Sequence, residues 1–474
     1  MERITGIEQL RGVRCDVLGI GISNVPLIRL LVQAGASVTA YDKKTESALG
    51  ETAAELRALG VSLSLDNPSF EGLSGEVIFR SPGIRPDIPA IARAVARGTI
   101  LTSEMALFCA SCPCPIYAIT GSDGKTTTTT LTHLFLAEAK RREGKGRALV
   151  GGNIGHSLLP EVESMTAQDV AVLELSSFQL SDMTHAFTRA AVTNVTPNHL
   201  DWHTDMEEYV AAKKRAVNGC GVAVFNADNP ETMAMACERG RDMLLFSSHK
   251  ASVGEILPAG AVRSAALYLH GGAICYSDGR DEVRVLDVAD ILLPGIHNVE
   301  NYMTAIALSY GDVPLEIYRD VAKRFGGVPH RLELVRELGG VRYYNSSIDS
   351  SPTRTAAALH ALSGELVVIC GGYDKGIPFA PLAEALCERA HTVVLTGATA
   401  EKIEASLQAL AEQGVRLPYI MREPDFERAV RLAASVAVSG QSVLLSPACA
   451  SFDAFANFMQ RGEAFKRIVA SLLS

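Results

Sequence analysis

Short apolar runs alternate with stretches of helical period along most of the chain. CDVLGIG (Cys15 to Gly21) reads as a buried strand, VPLIRLLVQAG (Val25 to Gly35) as a helix stopped by glycine, and SVTAYD (Ser37 to Asp42) as the next strand. Strand, helix and strand in that order predict a βαβ unit and a parallel sheet. The pattern runs to FCASCPCP (Phe108 to Pro115), where prolines and cysteines mark a linker. It restarts at IYAIT (Ile116 to Thr120) and continues through AVLEL (Ala171 to Leu175), AAVTNV (Ala190 to Val195) and GVAVFN (Gly221 to Asn226). Residues 256–288 read as β-rich, and HNVENYMTAIALSY (His297 to Tyr310) as a helix.

A third alternation begins near PHRLE (Pro329 to Glu333), with strands expected at ELVVICGG (Glu365 to Gly372), TVVLTG (Thr392 to Gly397) and SVLLSPA (Ser442 to Ala448). The expectation is an α/β protein of three domains in series: a Rossmann-like domain over 1–112, a central domain over 113–328 and a Rossmann-like domain over 329–474. No short-period repeat is visible.

Length supports the division, because 474 residues exceed what one core serves. A formal net charge of −9 offers no electrostatic footprint for nucleic acid or an anionic membrane. No basic-then-apolar leader and no apolar run of about 20 residues appears, which predicts a cytoplasmic chain. The ten cysteines fit a reducing compartment. Cys109, Cys112 and Cys114 have a metal-like spacing but lack a companion pair, so a structural or linker role is expected.

Chemistry enters with TGSDGKTTTTT, Thr120 to Thr130. A strand, then Gly121, Ser122, Asp123, Gly124, Lys125, Thr126 and Thr127, then a helix is the context in which backbone N–H groups cradle phosphates. Lys125 would neutralise the β- and γ-phosphates of ATP, and Thr126 would ligate Mg²⁺. Ile119 stands where a strict phosphate-loop pattern has its first glycine, which makes the central domain P-loop ATPase-like with one departure. Glu174 ends a strand, as a Mg²⁺ ligand or equally as a capping carboxylate. His199 on its own reads as structural. Thr204 followed by Glu207 predicts a capping box, and the helix beyond it carries Tyr209, Lys213, Lys214 and Arg215 as a solvated basic face. In the first domain, Gly19, Gly21 and Asp42 suggest a dinucleotide fingerprint, but Asn24 occupies the third glycine's position and disfavours a nicotinamide cofactor.

The ordered set TGSDGKTTT, GGNIG, ELSSFQL, TNVTPNHLDWH, AAKKRA, HNVEN, PHRLE, GGYDKG and LSPACASFDAF resembles the Mur ligases, ATP-dependent amide ligases that build the peptidoglycan peptide. The GIGISN opening and the LSPACASFDAFANFMQRGEAF ending look like the branch that joins D-glutamate to UDP-N-acetylmuramoyl-L-alanine. The resemblance implies ATP, two Mg²⁺ ions and a monomeric enzyme forming an acyl phosphate. Thr126 and Glu174 would serve one ion. His199 would serve the other, together with Lys213 as a carbamate formed from CO₂. Lys125, His199, Lys213 and Lys375 would carry catalysis.

By the same resemblance, Asn298 and Asn301 would face the adenine, and His330 and Arg331 would reach the nucleotide. Ser23, Asn24, Asp42, Lys43 and Ser81 would hold the UDP part, and Asn153 and Ser177 the muramoyl-alanine end. Lys375 would pair with a glutamate carboxylate beside Ser350, Ser451 and Phe458. One departure stands out: Ser346 follows Asn345 where relatives have an aspartate on the ATP ribose side, with Asp349 as a neighbouring substitute. Two other readings are a folate- or tripeptide-type ligase of the same fold, and a P-loop protein that binds nucleotide without ligase chemistry. Only the ligases need Lys213 and Lys375.

Overall fold

The computed structural model describes residues 4–200, 202–293, 295–374 and 376–473. Two compact units divide the chain, Met1–Arg324 and Phe325–Ser474.

The first unit holds two sheets. One has five parallel strands in the order Ser62–Ser64, Ser37–Tyr41, Arg14–Leu18, Val77–Arg80 and Ile100–Thr102. The other has nine strands. Its antiparallel edge is a meander of Glu282–Asp287, Ala273–Ser277 and Val262–His270. Parallel strands follow: Arg241–Ser247, Val222–Asn226, Arg189–Val192, Ile116–Thr120, Val170–Glu174 and Ala148–Gly152. The meander accounts for the β-rich 256–288 stretch.

Ile116–Thr120 is buried at every position, as expected of a parallel strand covered on both faces. Helix Lys125–Glu143 leaves its end and buries Leu131, Phe135 and Leu136. Phe135 meets Tyr318 edge-on at 4.8 Å between ring centroids and lies 6.2 Å from Tyr302 of helix Ile296–Ser309. Burial of such a ring is worth about 3–5 kcal/mol against alanine, so this contact pins the middle of the phosphate-loop helix to its neighbours.

Helix Met206–Lys214 differs from its expected start. Asp205, not Thr204, is its cap, accepting from the Glu208 N–H at 2.8 Å. The Thr204 N–H and hydroxyl instead donate to the Glu208 carboxylate, one position beyond Glu207. Aspartate caps as well as threonine does, and the chain enters one residue later than the pattern suggested.

The second unit has one six-stranded sheet, ordered Glu333–Leu338, Val341–Asn345, Ser442–Leu445, Leu366–Gly371, Ala390–Thr396 and Tyr419–Arg422. Only the first pair is antiparallel. Three sheets, each largely parallel, match the expected α/β class. Among the described residues, no helix is long and apolar enough to cross a membrane.

Candidate functional site

The loop after Ile116–Thr120 takes its shape from two glycines. Gly121 has φ of 148° and Gly124 φ of 77°, and a Cβ on them would collide with Thr193 Oγ1 and Asn301 Oδ1 respectively. Glycine therefore lets the loop close against two neighbouring segments. Ser122 Oγ accepts from Thr196 N at 2.9 Å and lies 2.9 Å from the Tyr209 hydroxyl. Asp123 N donates to Asn194 Oδ1, and Thr193 Oγ1 donates to Asp123 O. Lys125 folds back, with Nζ donating to Gly121 O at 2.9 Å and Ser122 O at 2.8 Å. Thr126 and Thr127 follow in the first turn of the helix, both half-buried. Asn301 accepts from Thr128 Oγ1, which sets it against this helix, and donates to Asn298 Oδ1.

Lys213 is the unusual group here. Only 1% exposed, it donates to Gly121 O at 2.6 Å, the carbonyl that also accepts from Lys125, and it lies 4.5 Å from the Tyr209 ring centre. Burial, then repulsion from Lys125, brings its pKa down to about 6. Its amine is therefore largely neutral at pH 7.

Glu174 ends the strand beside this one, in register with Ile119. Its Oε1 accepts from Asn153 Nδ2 at 2.9 Å, while Oε2 is buried with no partner among the described residues. A buried carboxylate oxygen without a donor is costly. Three residues on, Ser177 Oγ lies 2.9 Å from His203 Nε2. His203 is buried, which lowers its pKa. His199 has φ of 56° and an exposed ring packed against Phe178 at 5.0 Å and Tyr209 at 6.5 Å between centroids.

In the five-stranded sheet, Asn24 is 1% exposed and donates to Leu18 O, Gly19 O and Ser81 Oγ. The residue that broke the fingerprint thus ties the first turn to the Ser81 loop. Asp42 accepts from Ile20 N at 2.6 Å and Lys44 N at 2.9 Å. Ser23 precedes the helix without making a capping bond, and Lys43 is exposed.

Arg80, fully buried, joins the two sheets of this unit. It donates to Ser81 O, Pro82 O and Ile84 O on one side and to Phe178 O, Ser181 Oγ and Asp182 Oδ2 on the other. Its guanidinium sets the distance between the Ser81 loop and the Ser177 turn. Arg80→Met leaves Asp182 unpaired and is expected to raise KM for a substrate spanning both segments about tenfold or more, with KM for ATP within about twofold. Steady-state kinetics with each substrate varied would check it.

In the second unit, His330 (φ 65°) is buried, which lowers its pKa. Its Nδ1 lies 3.0 Å from Asn345 Nδ2, and Phe458 meets its ring edge-on at 6.0 Å. Arg331 beside it is exposed. Ser451 is buried and Ser350 half-buried. Ser346, where an aspartate was noted as missing, is buried with its hydroxyl accepting from Leu332 N at 3.1 Å. Asp349 is also turned inward, onto Ser446 Oγ at 2.9 Å, and burial raises its pKa. Lys375 lies outside the described residues.

Residues 119–309 match the family model for the Mur ligase middle domain, and 330–449 that for the Mur ligase glutamate ligase domain. A protein of Clostridium novyi (strain NT), named UDP-N-acetylmuramoylalanine–D-glutamate ligase, is 44% identical over 470 residues, covering 98% of each chain. One of the same name from Clostridium kluyveri is 46% identical over 461 residues, 96% of each. The chain belongs to the Mur ligase family. The crystal structure of UDP-N-acetylmuramate-alanine ligase from Thermotoga maritima aligns with a TM-score of 0.53 at 17% identity, over 97% of this chain and all of that one, and shows the shared fold.

Around its phosphate loop this Mur ligase joins Lys125, Lys213, Ser122 and Tyr209 by hydrogen bonds and ring contact, with Asn301 against Gly124 and Glu174 on the adjacent strand. His203 and Arg80 escaped the sequence reading, and Tyr209, read there as part of a solvated face, is buried. His203 closes the HLDWH run, Tyr209 lies four residues before Lys213 on one helix face, and Arg80 is the lone charge ending the apolar strand VIFR.

Proposed function

We propose that this Mur ligase uses ATP to join D-glutamate to UDP-N-acetylmuramoyl-L-alanine, working as a monomer in the cytoplasm. Relatives of that name align end to end with the chain, and the chemistry of the loop suits the reaction. The observation that carries the catalytic reading is Lys213, a buried amine on the carbonyl of the phosphate loop itself.

Two Mg²⁺ ions fit the donors present. Glu174 Oε2 is buried and lacks a partner among the described residues, Thr126 lies in the first turn of the helix, and Lys213 is largely neutral at pH 7, the form that reacts with CO₂. Thr126 and Glu174 would hold one ion, and His199 with the Lys213 carbamate the other. Bound there, the ions supply positive charge to the phosphates of ATP.

The chain's own groups do the rest. Loop N–H groups from Gly124 to Thr127 bind phosphate oxygens at the positive end of the helix, while those of Ser122 and Asp123 hold the loop to Asn194, and Lys125 turns from its loop carbonyls to the γ-phosphate. Asn298 and Asn301 flank the base. Ser23, Asn24, Asp42, Lys43 and Ser81 hold the UDP part, while Asn153 and Ser177 present the alanine carboxylate, with His203 fixing the Ser177 hydroxyl. In the second unit, Lys375, Ser350, Ser451 and Phe458 take D-glutamate, and His330 and Arg331 meet the nucleotide. The carboxylate oxygen attacks the γ-phosphorus and ADP leaves. The D-glutamate amine, after losing a proton, attacks the acyl carbon, and the C–O bond breaks to release phosphate. Holding the reactants in line is the main contribution of such a site.

That route moves one carboxylate oxygen into phosphate. With ¹⁸O in the alanine carboxylate, one ¹⁸O per turnover is expected in the released phosphate by mass spectrometry. Unlabelled phosphate would exclude the acyl phosphate.

A further inference from the structure

The second unit contains a cavity of about 560 Å³ whose lining includes none of the described residues assigned above to substrate or nucleotide. It opens at the carboxyl ends of Leu366–Gly371 and Ala390–Thr396, walled by helices Phe426–Val436 and Phe458–Ala470. Crevices at the carboxyl ends of parallel strands are where open α/β sheets bind ligands. None of Ser350, Ser451 and Phe458 lines it.

Arg461 lines this cavity and is 3% exposed. Its Nε donates to Ser347 Oγ at 3.1 Å, Nη1 to Ala450 O at 3.1 Å, and Nη2 to Ser347 O at 2.9 Å and Cys449 O at 3.0 Å. All four acceptors are neutral, and a guanidinium has five N–H groups. One N–H on Nη1 is left over, and no carboxylate lies within ion-pair range among the described residues. Nη1 sits beside Gly372, also in the lining, 3.2 Å from where a Cβ there would stand.

The other charges sharpen the picture. The Arg467 guanidinium, exposed at the cavity, makes no hydrogen bond or ion pair among the described residues. Arg431 is held by Glu427, Asp425 accepts from Arg428 N, and Asp453 accepts from Ala398 N. Asp425 and Asp453 keep their charges, so acids and arginines balance in the lining, and the donors left open are one N–H of Arg461 and the Arg467 guanidinium. Phe426 and Phe455, edge-on at 5.0 Å, add an aromatic wall. A buried cation hydrogen-bonded only to neutral groups, with Asp453 and Asp349 acting on it from beyond ion-pair range, is costly, and an anion in the cavity would offset that cost.

We infer that this cavity binds a small organic oxyanion, a carboxylate or phosphate monoester, with its charge on Arg461 and Arg467 and an apolar part against Phe426 and Phe455. The bidentate fork of arginine suits both oxyanions, and the ring pair favours a ligand with an aromatic or aliphatic body.

Calorimetric titration of the full chain with phenyl phosphate and with phenylacetate tests this, with ADP saturating so that the phosphate loop is filled. One-to-one binding of one or both probes is expected, tighter than inorganic phosphate. Arg467→Ala should weaken it about tenfold without changing the melting temperature, and Lys125→Met should leave it unchanged. Which probe binds more tightly identifies the preferred oxyanion. No saturable binding of either probe, equal affinity in Arg467→Ala, or loss of binding in Lys125→Met would each overturn the proposal.

Discussion

Lys213→Met is expected to lower kcat by about 10²–10³-fold or more while making the protein more stable. The two effects have one cause. Lys213 is buried, and desolvation with Lys125 nearby brings its pKa from 10.5 to about 6. Between those values the unfolded chain holds a proton that the folded chain lacks, so stability rises with pH across that window. The penalty is full below about pH 6 and gone above the ordinary lysine value. Methionine has a similar shape and no charge, so in CO₂-free buffer at pH 7 it should stabilise the fold by about 1–4 kcal/mol. That gain should shrink as pH rises toward 10, by at most about 1.4 kcal/mol per pH unit. Denaturant titrations at several pH values would measure it. A variant equally stable at every pH would contradict the buried-amine account. Lys213→Ala adds a further check, because it leaves a void beside Gly121. A short carboxylate such as acetate should restore part of the activity if the missing function is an anionic oxygen.

Lys125→Met is expected to reduce kcat/KM for ATP by about 10²–10³-fold with little change in stability. The amine is half-buried on two loop carbonyls that solvent or the neighbouring lysine can partly satisfy. Affinity for the UDP substrate should stay within about twofold, because Ser23, Asp42 and Ser81 belong to the other sheet of this unit. Removing this charge also relieves the repulsion that helps depress Lys213, whose pKa should rise. The two lysine changes should therefore not add in a double variant. Strict additivity, or an unchanged kcat/KM for ATP, would count against a shared phosphate site.

Much of this arrangement was legible in the sequence because glycine and β-periodicity carry local information. The strand ending at Thr120, the glycine loop and the helix that follows it come from patterns a few residues long. Long-range facts were not legible. Lys213, Lys214 and Arg215 read alike as a basic face, yet only Lys213 is buried, below the Gly121 carbonyl. Its burial depends on packing from segments far away in the chain, and family resemblance supplied what periodicity could not. Arg80 was missed for the same reason, since its partners lie about a hundred residues away. The helix after Thr204 shows the opposite limit: adjacent Thr204 and Asp205 are both good caps, and the choice between them turned on one residue of chain path. Ser346 shows how a substitution is absorbed, with the shorter hydroxyl bonded inward to Leu332 N.

Phosphate release from ATP, measured with UDP-N-acetylmuramoyl-L-alanine against a panel of D- and L-amino acids, tests the central claim most directly. The account predicts release that depends on both the UDP substrate and D-glutamate, with L-glutamate and the other amino acids near background. Release supported only by a different amino acid, or none with any of them, would contradict it.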